Sequence, residues 1–355
     1  MESGTDFSTN NKILTIIIGL ATLLLFSINI LRNIVMPQIN TDTLNNFYTI
    51  FISIVLEGLP FIIIGALISS FIQIFISEEN IIKIIPKNKL MGLFFAAIVG
   101  LIFPVCDCAI IPVTRRLIKK GIPTSLAITF MLSVPIVNPI VLVSTYYAFK
   151  GKIYMLFARL IFGIIAAMVI GYLIDLLHTG KSLKYSIQLN NFTPSCGCGC
   201  HNHQHNKQVH KFHYLFDIID YTSSETYDTG KLFIIGALIS ALVQSYIPKE
   251  YILSIGQGNL YSIIVMFVLA YILSICSQTD AFIARAFLGQ FTIGSVVGFL
   301  ILGPMLDIKN TLMLTGTFNR KFTIKLIFLI ISICFIMAVS ANYIIPISLK
   351  LLGGV

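Results

Sequence analysis

The stretch Phe103-Pro-Val-Cys-Asp-Cys-Ala-Ile-Ile-Pro112 places Cys106, Asp107 and Cys108 inside an otherwise apolar run. Two thiols and a carboxylate can hold a soft cation, carry a proton or, as a dithiol, exchange electrons. On a regular helix, residues two apart point about 200° apart, so Cys106 and Cys108 could not grip one ligand together. Pro104 and Pro112 change that expectation. Each removes a backbone donor and disfavours the helical region for the residue before it, so a locally unwound backbone would turn both sulfurs and the carboxylate toward one point. Non-helical backbone at membrane depth is tolerated only where it is buried in protein or lines a cavity. An ionisable group there is a functional-site hypothesis by default.

Other interruptions carry related chemistry. Ser133-Val-Pro-Ile-Val-Asn-Pro139 sets two prolines around Asn138, whose amide, with the carbonyls freed nearby, suits a ligand. Ser274-Ile-Cys-Ser-Gln-Thr-Asp280 and Gly303-Pro-Met-Leu-Asp307 supply Cys276, Asp280 and Asp307. Glu57 lies ten residues into a long apolar run without a neighbour of opposite charge and is a candidate proton carrier. The plainer alternative pairs Asp280 with Arg285 and Asp107 with Arg115 or Arg116, and places Asp307 at a helix end. Cys334, alone in the last apolar run, reads as a small buried apolar side chain.

A second tract, Cys196-Gly-Cys-Gly-Cys-His-Asn-His-Gln-His205, brings Cys196, Cys198, Cys200, His201, His203 and His205 within ten residues, with His210 and His213 beyond. Glycines between the cysteines free the backbone to wrap an ion. Thiolate with imidazole suits zinc or copper(I), and thiolates also take arsenic(III)-like centres. The spacing is not that of a folded zinc finger, so the expectation is an exchangeable site that loads a transporter or senses metal. Its thiols stay reduced if it faces the cytoplasm.

The rest of the chain must position these groups within a bilayer. Of its 355 residues 56% are hydrophobic and only 11% charged, against about 25% charged in soluble proteins. This is the composition of an all-α polytopic membrane protein. The charge of +9 falls in short loops, which excludes a nucleic-acid partner as its cause. Seven cysteines, several in apolar segments, do not form a disulfide framework. Apolar runs long enough to cross a bilayer are 13–31, 47–76, 90–113, 121–149, 153–177, 231–247, 260–279, 281–306 and 323–346, giving eight to ten crossings, some broken or re-entrant. Ile13 to Leu31 has no small-residue cleavage site after it and reads as a retained helix.

Two related halves follow from a nearly constant offset. Ile63-Ile-Gly-Ala-Leu-Ile-Ser69 recurs as Ile234-Ile-Gly-Ala-Leu-Ile-Ser240, Gln73 recurs as Gln244, Cys106 falls on Cys276, Arg115 on Arg285, and Asn138 on Asp307. The predicted organisation is an N-terminal tail and helix (1–46), a first membrane repeat (47–177), a polar loop (178–230) and a second repeat (231–355). Secondary transporters are commonly built this way, with the site between repeats. Arg115, Arg116, Lys119 and Lys120 put their loop in the cytoplasm. With every run counted as one crossing, however, Lys83, Lys87, Lys89, Lys150, Lys152, Arg320 and Lys321 fall on the other side.

Pro104-Val-Cys-Asp-Cys-Ala-Ile-Ile-Pro112, then Gly121-Ile-Pro123, then Pro135-Ile-Val-Asn-Pro139, resembles the YraQ-like predicted permeases, a broad family that includes the organoarsenical permease ArsP. The likeness covers nearly the whole chain after the first helix. It implies a multi-pass permease of the plasma membrane, an exporter, with relatives that move methylated trivalent arsenic and others copper or zinc. The family's Cys-x-Cys maps onto Cys106 and Cys108. Ala109-Ile110-Ile111 stands where an arsenical permease would show serines, and Asp107 lies between the cysteines, which directs the expectation toward a soft or divalent metal ion. No phosphate-binding loop is present, so the prediction is a secondary exporter, not an enzyme and requiring no cofactor. Zinc or copper at the Cys/His tract, a second subunit, a metallochaperone and a homo-oligomer are candidate companions in the lipid bilayer. Two alternatives stand beside it. One is a permease for a non-metal solute with a metal-sensing loop. The other is a membrane thiol-redox protein, disfavoured by the strain of a Cys-x-Cys disulfide.

Overall fold

A computed structural model of the chain describes residues 41–75, 86, 88–101, 105–177, 182–183, 211–246 and 258–351. The chain divides into two units, Met1–Tyr48 and Thr49–Val355. Of the first, only the start of a helix is described, and everything below concerns the second. The described residues form helices and no strand beyond two isolated bridges. In order these are α1 (Thr41–Phe75), α2 (Lys89–Val99), α3 (Asp107–Lys119), α4 (Thr124–Val137), α5 (Pro139–Ala148), α6 (Ile153–Leu177), α7 (Lys211–Tyr246), α8 (Asn259–Leu273), α9 (Asp280–Phe287), α10 (Ile293–Met305), α11 (Ile308–Thr317) and α12 (Arg320–Leu351).

Length decides which of these can cross. At about 1.5 Å per residue, α2 reaches about 16 Å, half of a hydrocarbon core about 30 Å thick. Six helical stretches are long and apolar enough among the described residues: 44–75, 124–148, 153–177, 218–246, 293–317 and 320–347. Two of them are broken in the middle, at Asn138 between α4 and α5 and at Leu306–Asp307 between α10 and α11. Both broken helices lie inside, and α1, α6, α7 and α12 present apolar side chains such as Leu56, Ile161 and Phe328 outward, as lipid contact requires.

The runs 90–113 and 260–279, counted from sequence as crossings, fold instead as limbs of hairpins. Gly92 packs beside Leu126 and Gly100 beside Val134, so α2 and α4 run in the same direction. A tight turn then reverses α3 into α4. Gly121 takes φ +91°, open to glycine and strained for any other side chain, and Ile122 N–H bonds back to Leu117 C=O at 3.1 Å, closing the helix end. Hence α2 and α3 are antiparallel, and their tip at Val105–Cys106 lies level with the break in α4. The Asn138 amide donates to Val105 C=O at 3.2 Å and fixes that level. The second half does the same. Ser262 at the start of α8 donates to Ser295 at the start of α10 (2.9 Å), and Ser274 at the end of α8 accepts from Ile308 N–H, just past the break (3.2 Å). The run 281–306 is therefore two pieces, α9 returning from the second tip and α10 beginning the broken helix, with Gly289 at φ +102° in the turn between them.

The two hairpins enter from opposite ends of the bundle. Ser182, after α6, meets Thr124 at the start of α4 and Asn319 at the start of α12, so these three define one end. Gly294, at the start of α10, donates to Asn342 near the far end of α12 and marks the other (2.7 Å). Lys89, Arg115, Arg116, Lys119, Lys120, Arg320 and Lys321 belong to the first end; Lys150, Lys152 and Arg285 belong to the second. The charge tally from sequence placed Lys89, Arg320 and Lys321 opposite Arg115. Counting hairpins rather than crossings brings them to the same end. Single cysteines at Lys89, Lys120 and Arg320, in a background with the native cysteines changed to serine, should react with an impermeant maleimide from one face of the membrane, and one at Lys152 from the other. Helix α7 also starts earlier than the apolar run suggests, at Lys211 inside the stretch expected as polar loop.

Candidate functional site

Where the hairpin tips meet the broken helices, the interior is polar. Cys106 (φ −82°, ψ 173°) caps α3 in extended backbone, and α3 is regular from Asp107 onward. Among the described residues of this segment, only Val105 and Cys106 lie outside the helix. Pro112 sits inside α3 and does not break it, but it supplies no N–H, which leaves the carbonyl of Cys108 without its helical donor. Pro104 lies outside the described residues. Cys106, Asp107 and Cys108 are each 2–3% exposed. The Cys108 thiol lies 3.8 Å from Asp107 Oδ2, and the Asn310 amide donates to the same oxygen at 3.3 Å. The arginines proposed from sequence as partners of Asp107 are elsewhere. Arg115 and Arg116 both face Glu225 of α7 at 3.4 Å, with Tyr221 beneath Arg116. At this outer end of α3, burial and the neighbouring arginines push Lys119 down to about 8.

Helix α3 packs on α11 of the other half, and α9 packs on α5. Asp307 caps α11 through a 2.6 Å bond from Asn310 N–H, as suits a carboxylate at a helix start. Its second oxygen is 3.5 Å from Lys309 Nζ. Lys309 is 4% exposed and within electrostatic reach of Asp307, Cys108, Asp107 and Cys276. Cys276, buried at the second tip, is in reach of Asp107, Cys106 and Glu57. Glu57 accepts from Thr279 at the same tip (3.2 Å). Asn138 caps α5 by accepting from Ile140 N–H at 2.9 Å. Seven predicted site residues, Glu57, Cys106, Asp107, Cys108, Asn138, Cys276 and Asp307, therefore gather around the two tips.

Asp280 is differently engaged. Its partner is Arg159 of α6, not Arg285. The two guanidinium ends each donate to one carboxylate oxygen at 2.9 Å, and Arg159 also donates to Thr145 (2.9 Å) and to Ser277 C=O (3.1 Å). Arg159 is fully buried. This fork pins the second tip to α5 and α6, a task that a planar, permanently charged side chain performs well. Cys334 is buried against Met305, 3.7 Å sulfur to sulfur, in keeping with an apolar role.

Sequence reasoning missed Arg159, Lys309, Asn310 and Glu225. A signal existed for the first two: Arg159 is the single basic residue of the run 153–177, and Lys309 stands two residues past a proline-broken helix beside Asp307. Among the described residues no three His, Cys, Asp or Glu side chains converge as a metal-binding group. The Cys196–His205 tract and His210 lie outside the described residues.

A profile of the family described as "Predicted permease" matches residues 43–343. The protein YcgR of Bacillus subtilis is 41% identical over 285 residues, covering 80% of this chain and 93% of YcgR. A "Putative two-component membrane permease complex subunit" of Streptococcus mutans is 37% identical over 296 residues, 82% of this chain and 94% of that protein. No solved structure matches the chain.

Proposed function

The chain belongs to the predicted permease family and is a multi-pass protein of the plasma membrane, and from the geometry of its interior we propose that it is a secondary exporter whose substrate passes between the two hairpin tips. One observation carries this reading. Two half-length hairpins from opposite ends meet two broken helices at a buried group of ionisable side chains, a position reserved in transporters for substrate and coupling ions. Inverted duplication of residues 47–177 and 231–355 explains why the two halves share this plan. The substrate we favour is a thiophilic metal ion or trivalent metalloid, because Cys106, Cys108 and Cys276 are buried at the tips beside Asp107. The basic end faces the cytoplasm. The Cys196–His205 tract, on composition alone, takes zinc or copper(I). The name of the Streptococcus relative supports a second subunit for this chain too.

The test is cellular accumulation. Cells expressing the chain are challenged with zinc, copper, cadmium or trivalent arsenicals, and element content is measured by mass spectrometry beside the Cys106→Ser/Cys108→Ser variant. Content of one element should fall with the intact cysteines and return to the level of empty cells in the double variant. Unchanged export by the double variant would sink the cysteine site. A second reading, a permease for a non-metal solute, is favoured by Lys309, a buried cation at the site, and by the lack of a three-ligand metal group among the described residues. No change for any element would make it the leading one.

A further inference from the structure

The charges buried at the centre do not balance. Asp107, Asp280 and Asp307 face Arg159 and Lys309, all under 5% exposed. Arg159 and Asp280 close on one another with two 2.9 Å bonds. What remains is two carboxylates to one ammonium, and an uncompensated buried charge is costly enough that proteins seldom leave it so. A second observation falls on the same groups. Asp107 Oδ1, Asp307 Oδ2 and Asn310 Oδ1 are buried oxygens with no hydrogen-bond donor in the protein. They belong to side chains already joined through Asn310, whose amide donates to Asp107 and whose backbone N–H donates to Asp307. Of the three, Asp307 Oδ2 has a charged neighbour, the Lys309 ammonium, in an ion pair at 3.5 Å.

The three oxygens and the single missing positive charge point to one ligand class. A lone proton would sit on one carboxyl oxygen and donate to one other, leaving the third acceptor bare. A hard monovalent cation accepts several oxygen ligands at once and supplies the charge, so it can draw on side chains already linked through Asn310. We propose that Asp107, Asp307 and Asn310 form a site for one alkali cation, sodium being the probe, with Lys309 setting the charge so that a monovalent ion neutralises it. This rests on the permease reading and deepens it. Asp107 serves both the coupling cation and the cysteines' substrate, so the two compete for one residue and exchange rather than travel together. Around the site stand Cys106, Cys108 and Cys276, with Glu57 at the second tip; the Arg159–Asp280 pair is self-contained.

The experiment uses the purified full chain in detergent and ²²Na⁺ in a scintillation proximity assay at fixed pH. Saturable binding is expected in the wild type. Asp107→Asn and Asp307→Asn should each weaken it at least about tenfold, as loss of a charged ligand implies. The peripheral Asp175→Asn variant, whose carboxylate pairs with exposed Lys89, should bind as the wild type. Asparagine at 307 still caps α11 and asparagine at 107 still meets Asn310, so both variants should fold. If either aggregates, the wild type alone decides through its melting temperature, which should rise in sodium chloride over choline chloride as binding to the native state requires. A flat ²²Na⁺ isotherm, binding unaltered in both aspartate variants, or equal melting in the two salts overturns the site. None of these readouts needs a transported substrate. Failed export in the accumulation experiment therefore leaves the cation site standing, and a flat isotherm leaves the permease standing.

Discussion

Arg159→Met is expected to lower stability by about 3–5 kcal/mol, the usual consequence of removing one partner from a buried ion pair. The variant leaves Asp280, 3% exposed, with no counter-charge, and also strips donors from Thr145 and Ser277 C=O. A cavity does not explain the effect, since methionine nearly fills the space of the arginine stem. The double variant Arg159→Met/Asp280→Leu should recover most of the loss, because an apolar pair of similar volume is often as stable as the ion pair it replaces. Arg159→Lys should fall between, retaining the charge without the bidentate fork. Melting temperatures by fluorescence-detected size exclusion would read the series. Equal melting of wild type and Arg159→Met would show that the fork does not hold the second tip. Export should fail in the double variant even where folding recovers, since the tip then lacks its anchor to α5 and α6.

The same pair shows where sequence reading reached and where it stopped. The breaks at Asn138 and Asp307 and the polar tips before Asp107 and Asp280 were legible, because proline and intramembrane charge act through local chemistry. Pro112 shows the limit of that logic, for it stays inside α3 once packing holds the helix. Pairing was not legible. Asp280 finds a partner 121 residues away and Asp107 one 203 residues away, whereas sequence offers only neighbours. Topology failed for a related reason. Hydropathy measures apolar length, and a hairpin with two apolar limbs has as much of it as a crossing. The direction of α2 relative to α4 appears only when Gly92 meets Leu126 and Gly100 meets Val134.

Gly65→Ala should abolish or nearly abolish export while leaving membrane insertion intact. Gly65 lies in the first copy of the repeated Ile-Ile-Gly-Ala-Leu-Ile-Ser motif, and a Cβ there would stand 2.6 Å from Ala109 C=O and 2.9 Å from Ala109 Cα. Backbone cannot yield as a side-chain tip does, so α3 and the Cys106–Cys108 segment must move. Gly236, in the second copy, meets Lys309 Cα at 2.9 Å, and Gly236→Ala should have the same effect from the other side by displacing α11. The motif recurs because each long helix must approach a site-bearing element closely; Ser69 and Ser240 in the same copies then bond Pro112 C=O and Ile272 C=O. Overpacking of this kind costs about 1–3 kcal/mol, a modest fold penalty beside the loss of geometry at the tip. Gly303→Ala is the control, as its Cβ would meet only Ala270 at an ordinary 3.9 Å. Export equal to the wild type in Gly65→Ala and Gly236→Ala would show that the tips tolerate such displacement, and the substrate path would then have to lie away from α3 and α11.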